Sequence, residues 1–178
     1  MNRKHLWMVT GGVTAAVALL SACSGSGGGS ASGSTPSASA SAAHPVDAVS
    51  AKEATADKVK SAMEARLSVD EPRFGSGGKS PCSTASAEVF TQKCADATQG
   101  TNADASFALA QISGKDGFAT LRSVAEKLQK AAATYQELGC ATNPAKAATR
   151  QACLGPAAVV AQGFPDLRDG ANLGLAGK

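Results

Sequence analysis

The chain has 178 residues, 17 Lys+Arg against 14 Asp+Glu, a formal net charge of +3, and 43% hydrophobic but only 4% aromatic residues. That length supports one domain and hardly two, and the charge is too small to argue for a nucleic-acid partner. The two histidines are His5 and His44, so none falls from Val46 onward, which removes Ser-His-Asp and Cys-His nucleophile systems and the usual transition-metal sites.

The chain opens on a short positive segment, Asn2-Arg3-Lys4-His5, and an apolar run from Leu6 to Leu20 that Gly11 and Gly12 interrupt. This is the layout of a secretory signal, and it is short for a membrane span, which needs about 20 apolar residues. The run ends in Leu20-Ser21-Ala22-Cys23: an aliphatic residue, two small residues and a cysteine. These four residues resemble the lipobox of bacterial lipoproteins. The resemblance covers residues 1–23 alone. It implies a signal peptide over 1–22, cleavage before Cys23, a diacylglyceryl group on that cysteine, and a chain held on the extracytoplasmic face of the cell membrane. Two acyl chains anchor stably where one holds only marginally. The alternative is ordinary signal cleavage, which would leave the Cys23 thiol exposed beside a Ser/Gly segment. Arg3-Lys4 is not a twin arginine, so general secretion is expected. Removing the leader takes two cations and no acid, leaving a nearly neutral chain.

Residues 23–45 hold the modified cysteine and a linker composed almost wholly of Ser, Gly and Ala, with Pro36. Such a segment cannot bury apolar surface and is expected to be a disordered tether with a reach of roughly 25 Å. The domain is expected over 46–178. Its four remaining cysteines, Cys82, Cys94, Cys140 and Cys153, are an even number in an exported chain and predict two disulfides. No CxxC spacing points to zinc or redox chemistry. Four cysteines allow three pairings. The similar segments 82–94 and 140–153 suggest local bridges, whereas ten helical residues rise about 15 Å, which favours pairing between helices. The sequence leaves both open.

The elements then read as helices. Ser50-Ala51-Lys52-Glu53 fits a capping box, after which Val49, Ala56, Val59, Met63 and Leu67 share one face until Pro72 and the Gly75–Gly78 run end the helix. Ser80-Pro81 predicts a second start, with a pattern through Val89, Phe90, Cys94 and Ala97. Gly100-Thr101-Asn102 reads as a break, followed by a shorter helix carrying Phe107, Ala110 and Ile112. After Asp116 comes the cleanest stripe, Leu121, Ala125, Leu128, Ala132 and Tyr135, thickened by Val124, Ala131 and Leu138 and closed by Gly139. Asn143-Pro144 predicts another start and Gly155-Pro156 an interruption; Phe164, Leu167, Ala171 and Leu175 form the last stripe. No period-2 strand pattern occurs, so the fold class is all-α: a small disulfide-stapled helical bundle behind a disordered linker.

Chemistry-bearing candidates are few. Gly78-Lys79-Ser80 matches half of a phosphate-binding loop, but Arg73 stands where its first glycine belongs, and a linker is the expected role. Asp166 with Asp169, and Asp70 with Glu71, read as solvated charge beside Arg168 and Arg73. Tyr135 lies in the apolar stripe and reads as core. We therefore expect no catalysis, metal or cofactor. The expected partners are the membrane, through the anchor, and an envelope protein, with no nucleic acid. Two roles remain: a surface-anchored interaction module, or a carrier for a small apolar molecule held between the helices.

Overall fold

The structure, a computed structural model, describes residues 45–177, with side chains from 48 onward; the signal, Cys23 and the linker lie outside the described residues. It is all-α, with five helices and no strand among those residues: α1 Pro45–Phe74, α2 Gln92–Gln111, α3 Ala119–Glu137, α4 Ala147–Ala161 and α5 Gly163–Leu173. Short 3-10 turns stand at Gly77–Lys79, Cys140–Thr142 and Gly174–Ala176.

Neighbouring helices run antiparallel. Arg66 of α1 meets Asp104 of α2, Ser106 of α2 meets Gln129 of α3, and Glu64 of α1 meets Arg168 of α5. The chain thus goes up, down and up, and α4 with α5 share the final descent. At 1.5 Å per residue, the 30 residues of α1 cover about 45 Å, but α1 stops short of the top. Two core layers result. In the lower, Ala56, Val59, Met63 and Leu67 of α1 pack with α2, α3 and α5 around Leu121, Leu128, Phe164 and Leu167. In the upper, α2, α3 and α4 pack around Tyr135, Val160 and all four cysteines of the domain, and the segment ahead of α2 takes the place of a fourth helix through Cys82 and Val89.

Both disulfides are local: Cys82 pairs with Cys94, and Cys140 with Cys153, with Cα atoms 4.8 and 5.7 Å apart. The distance objection is resolved because the intervening residues are not helix throughout. Ser80-Pro81 does not start one. Residues 80–91 fold as successive turns, with amides of Ser83, Ser86, Val89 and Thr91 bonding three residues back. Ser80 and Ser86 hydroxyls accept from Cys82 and Glu88 amides, the local bonding by which serine competes with helix. The helix begins only at Gln92, where the Thr91 hydroxyl accepts from the Lys93 amide. Asn143 likewise fails to cap. It adopts a left-handed backbone at φ 50°, its amide donates to Phe90 O and its side chain accepts from Arg150, so α4 starts at Ala147.

Three further expectations are corrected. Ser50 lies inside α1, which begins at Pro45, a residue suited to a first turn, and Val49 faces solvent. The Gly100 break is absent. α2 runs through it because Phe74 lies where a side chain would stand, and the Phe74 ring stacks on Phe164. The Gly155-Pro156 interruption is absent too. The carbonyl that Pro156 cannot engage belongs to exposed Ala152, where water can satisfy it, and the chain turns at Gln162 instead. The α3 stripe is as predicted, with all five of its residues buried and Gly139 following at φ 65°.

These contacts give opposite outcomes for two helical glycines. Gly100→Ala should destabilise the domain by about 1–3 kcal/mol, since a methyl must displace a stacked aromatic ring. Gly155→Ala meets nothing within 4 Å and should stabilise by about 0.5–1 kcal/mol. Urea denaturation of both variants measures the pair, and equal shifts in the same direction would contradict this packing.

Candidate functional site

Where α1 ends and the upper layer begins, the domain surface is hollow. The last turns of α1, the 75–88 segment and the first half of α2 surround an open groove of about 1350 Å³. The end of α1 at Phe74 creates it, because the coil that follows leans on α2 and leaves the space beyond Pro72 unfilled. Its wall is built from charge. Arg168, reaching over from α5, donates from Nε to Glu64 Oε2 and from Nη2 to Glu71 Oε2, both at 2.8 Å. Ser76 Oγ donates to the other oxygen of Glu71 at 2.6 Å. The Ser76 bond, then Arg168, holds the Glu71 carboxyl below its usual range, and the two glutamates push Arg168 up. Across the opening Lys93 Nζ bonds Glu88 at 2.9 Å, which draws Glu88 down, and Gln92 donates to Asp96 at 2.9 Å. Arg73 lies over the Phe74 ring, 4.8 Å from its centroid. Lys79, the residue that suggested a phosphate loop, is an exposed rim residue in a 3-10 turn.

The acidic pairs noted in the sequence separate. Asp166 is half-buried and Asp169 exposed, and Arg168 between them turns away to α1. Glu71 belongs to the groove, while its neighbour Asp70 points toward α2. There Arg66 Nε stands 3.0 Å from Asp70 Oδ2 and 2.6 Å from Asp104 Oδ1. Asp104 is fully buried and was not anticipated, because its segment read as a break. The visible signal was the 4-3-4-3-4 spacing of Cys94, Thr98, Thr101, Ala105, Ala108 and Ile112, which the two threonines obscure.

Above the groove the two disulfide-closed segments pack on one another. Tyr135 Oη donates to Val89 O at 2.7 Å, and burial pushes that phenol up to about 12, in keeping with a core role. The Arg150 guanidinium covers the Phe90 ring at 3.9 Å from its centroid. At the opposite end, Val49, Ala56, Phe118 and Leu175 border a second open groove of about 710 Å³. Among the described residues no group of His, Cys, Asp and Glu is placed to hold a metal ion, and no helix is long and apolar enough to cross a membrane. Comparison of the chain with protein-family models, with curated proteins and with solved structures finds no match.

Arg168 is the link that holds α5 against the groove wall. Arg168→Met should cost about 1 kcal/mol, the scale of a partly exposed charge network, and should return the Glu71 carboxyl toward its ordinary range. Chemical denaturation together with carbon-13 titration of Glu71 checks both. An unmoved Glu71 would show that Ser76 alone sets it.

Proposed function

We propose that this protein is a membrane-anchored extracytoplasmic lipoprotein, lipidated at Cys23, whose domain is a non-catalytic interaction module of the cell envelope. The observation that carries the reading is the open, charge-lined groove at the head of α1. Its walls are fixed in place by the Arg168 network on one side and by the Cys82–Cys94 bridge on the other. Alternating carboxylates and cations along an open surface suit a polar protein segment, where charge complementarity sets register and specificity. The two disulfides agree with an exported chain. The Ser, Gly and Ala composition between Cys23 and the domain suits the same reading, because confinement near the membrane would raise the effective concentration toward other envelope proteins, to the millimolar range for short linkers.

The carrier reading calls for an apolar chamber between helices. The positions that would line one are filled: Met63, Leu67, Leu121, Leu128, Phe164 and Leu167 are each 0–1% exposed and touch one another across the lower layer. The larger open groove is walled by Glu64, Glu71, Glu88, Lys93, Asp96 and Arg168, and that concentration of charge favours the module.

A photo-crosslinking residue placed in intact cells at Ser68 or Gln99, both exposed on the groove, should capture one protein species, and the same residue at Lys130 on α3 should not. Cys23→Ala should abolish incorporation of a palmitate analogue, release the protein from the membrane fraction and reduce the capture. Equal labelling from Lys130, or no protein captured at either groove position, would remove the groove as the docking surface. Persistent labelling of Cys23→Ala would remove the anchor.

A further inference from the structure

Two buried carboxylates, Asp70 and Asp104, and the part-exposed Arg66 that faces both form the back of the α1 segment that walls the groove, and nothing in the docking reading uses them. Arg66 Nε donates to Asp104 Oδ1 at 2.6 Å and stands 3.0 Å from Asp70 Oδ2. Asp104 has no solvent exposure, and its second oxygen, Oδ2, has no hydrogen-bond partner. A buried acceptor without a donor is a costly exception, and two carboxylates against one guanidinium leave the cluster one negative charge in excess. A proton on one carboxyl cures both faults, since it brings the cluster to neutrality and turns an orphan acceptor into a donor toward the neighbouring carboxylate, as in acid pairs that cannot both ionise.

Arg66 and Asp70 are the charges that act on Asp104, and Arg73, one turn beyond Asp70 on α1, lies over the Phe74 ring. On α3, Arg122, Glu126, Lys127 and Lys130 are exposed. On α5, Asp169 is exposed, Asp166 is half-buried, and Arg168 is held by Glu64 and Glu71 on the other flank of α1. On α2 itself, Lys93 and Asp96 lie exposed near the N-terminus, bonded to Glu88 and Gln92. On α1, Glu64 is turned to Arg168, and the remaining partner of Arg66 is the Phe107 ring, 6.0 Å away.

We propose that Asp104 holds a proton that ties α1 to α2, and that its loss to solvent frees the groove-lining residues 64–74, so that proton binding regulates the docking surface. For its functional meaning this rests on the docking reading; the proton site itself does not. Burial, which outweighs the opposing bond from Arg66, pushes Asp104 up to about 6. The folded state therefore holds the proton more tightly than the unfolded chain. The resulting stability is present at mildly acidic pH and is lost as pH rises from the ordinary carboxylate range through about 6. Glu71 and Glu88 act in the opposite sense, losing their contribution only as pH falls below the ordinary range, so they are silent above pH 5.

Hydrogen exchange of the purified protein in detergent, corrected for intrinsic rates, tests this between pH 5 and pH 7. The opening equilibrium of peptides from residues 64–74 should rise about tenfold across that interval, the factor one proton contributes for each pH unit below its folded-state titration point, and should level off above it. Peptides from residues 124–135 of α3 should stay constant, and Asp104→Asn should be flat throughout. A flat wild type, an Asp104→Asn protein that keeps the pH dependence, or an equal rise in α3 overturns the proposal. Should Asp104→Asn fail to fold, the carbon-13 titration of Asp104 decides. Its midpoint should lie near 6 in the wild type and fall in Asp70→Asn, and a wild-type midpoint in the ordinary carboxylate range overturns the held proton. A failed crosslink would leave these results standing, and flat exchange with a successful crosslink would keep the docking surface without its regulation.

Discussion

Everything above α1 depends on the bond between Cys82 and Cys94. The bundle has four helices in its lower layer and three in its upper one, and the gap is closed by a run of serine-rich turns with little apolar area of its own. Val89 is the single large aliphatic residue this segment buries in the upper core. Chain of that composition has no energetic reason to lie on α2, since ordering each residue costs about 1–2 kcal/mol of backbone entropy. A cross-link removes much of that loss from the unfolded side of the balance, typically 2–4 kcal/mol. With the segment held, Tyr135 finds its acceptor at Val89 O, Asn143 finds Phe90 O, and the second stapled segment docks on the first. The groove is the space left between this coil and the end of α1.

Below, the constraint is close approach. Alanine supplies many of the core positions, so the helices gain area by nearness, as where Phe74 rests on Gly100. The same nearness explains why a carboxylate is buried at all. α1 and α2 lie too close for Asp104 to reach water past Arg66, and the charge is settled between neighbours instead of by solvent.

The fold class and the presence of two disulfides were legible because they rest on apolar residues at helical spacing and on an even set of cysteines over 46–178; which cysteines pair was not, since it depends on how the chain folds between them. The stripe of α3, and that of α1 from Ala56 to Leu67, were readable position by position because they are built from aliphatic residues, whereas Val49 lies beyond the end of the core. α2 was not readable in this way, since Thr98, Thr101 and Asp104 occupy inward positions and imitate a loop, and Gly100 looks like a stop until Phe74 is seen filling its place. Ser80, Asn143 and Pro156 misled for one shared reason. Their capping and breaking tendencies are real, but each is decided by tertiary partners (a disulfide, a neighbouring carbonyl, a solvent-facing helix flank) that no local window contains. The Arg66–Asp70 spacing on α1 was visible; its meaning required the helix across from it.

The bond from Tyr135 to Val89 gives the upper layer an optical signature. Tyr135 is the only tyrosine in the chain, and the only tryptophan is Trp7, ahead of Cys23. In a chain that has lost its leader, the near-ultraviolet signal beyond the phenylalanine bands arises from one phenol and, more weakly, from the two disulfides packed in the same cluster, all of them in the upper layer. The absorption and emission of that phenol therefore follow the state of the stapled head and are nearly blind to the lower layer. Melting of the two halves can thus be told apart spectroscopically, with far-ultraviolet dichroism reporting the helices as a whole and the near-ultraviolet signal reporting the end that carries the groove.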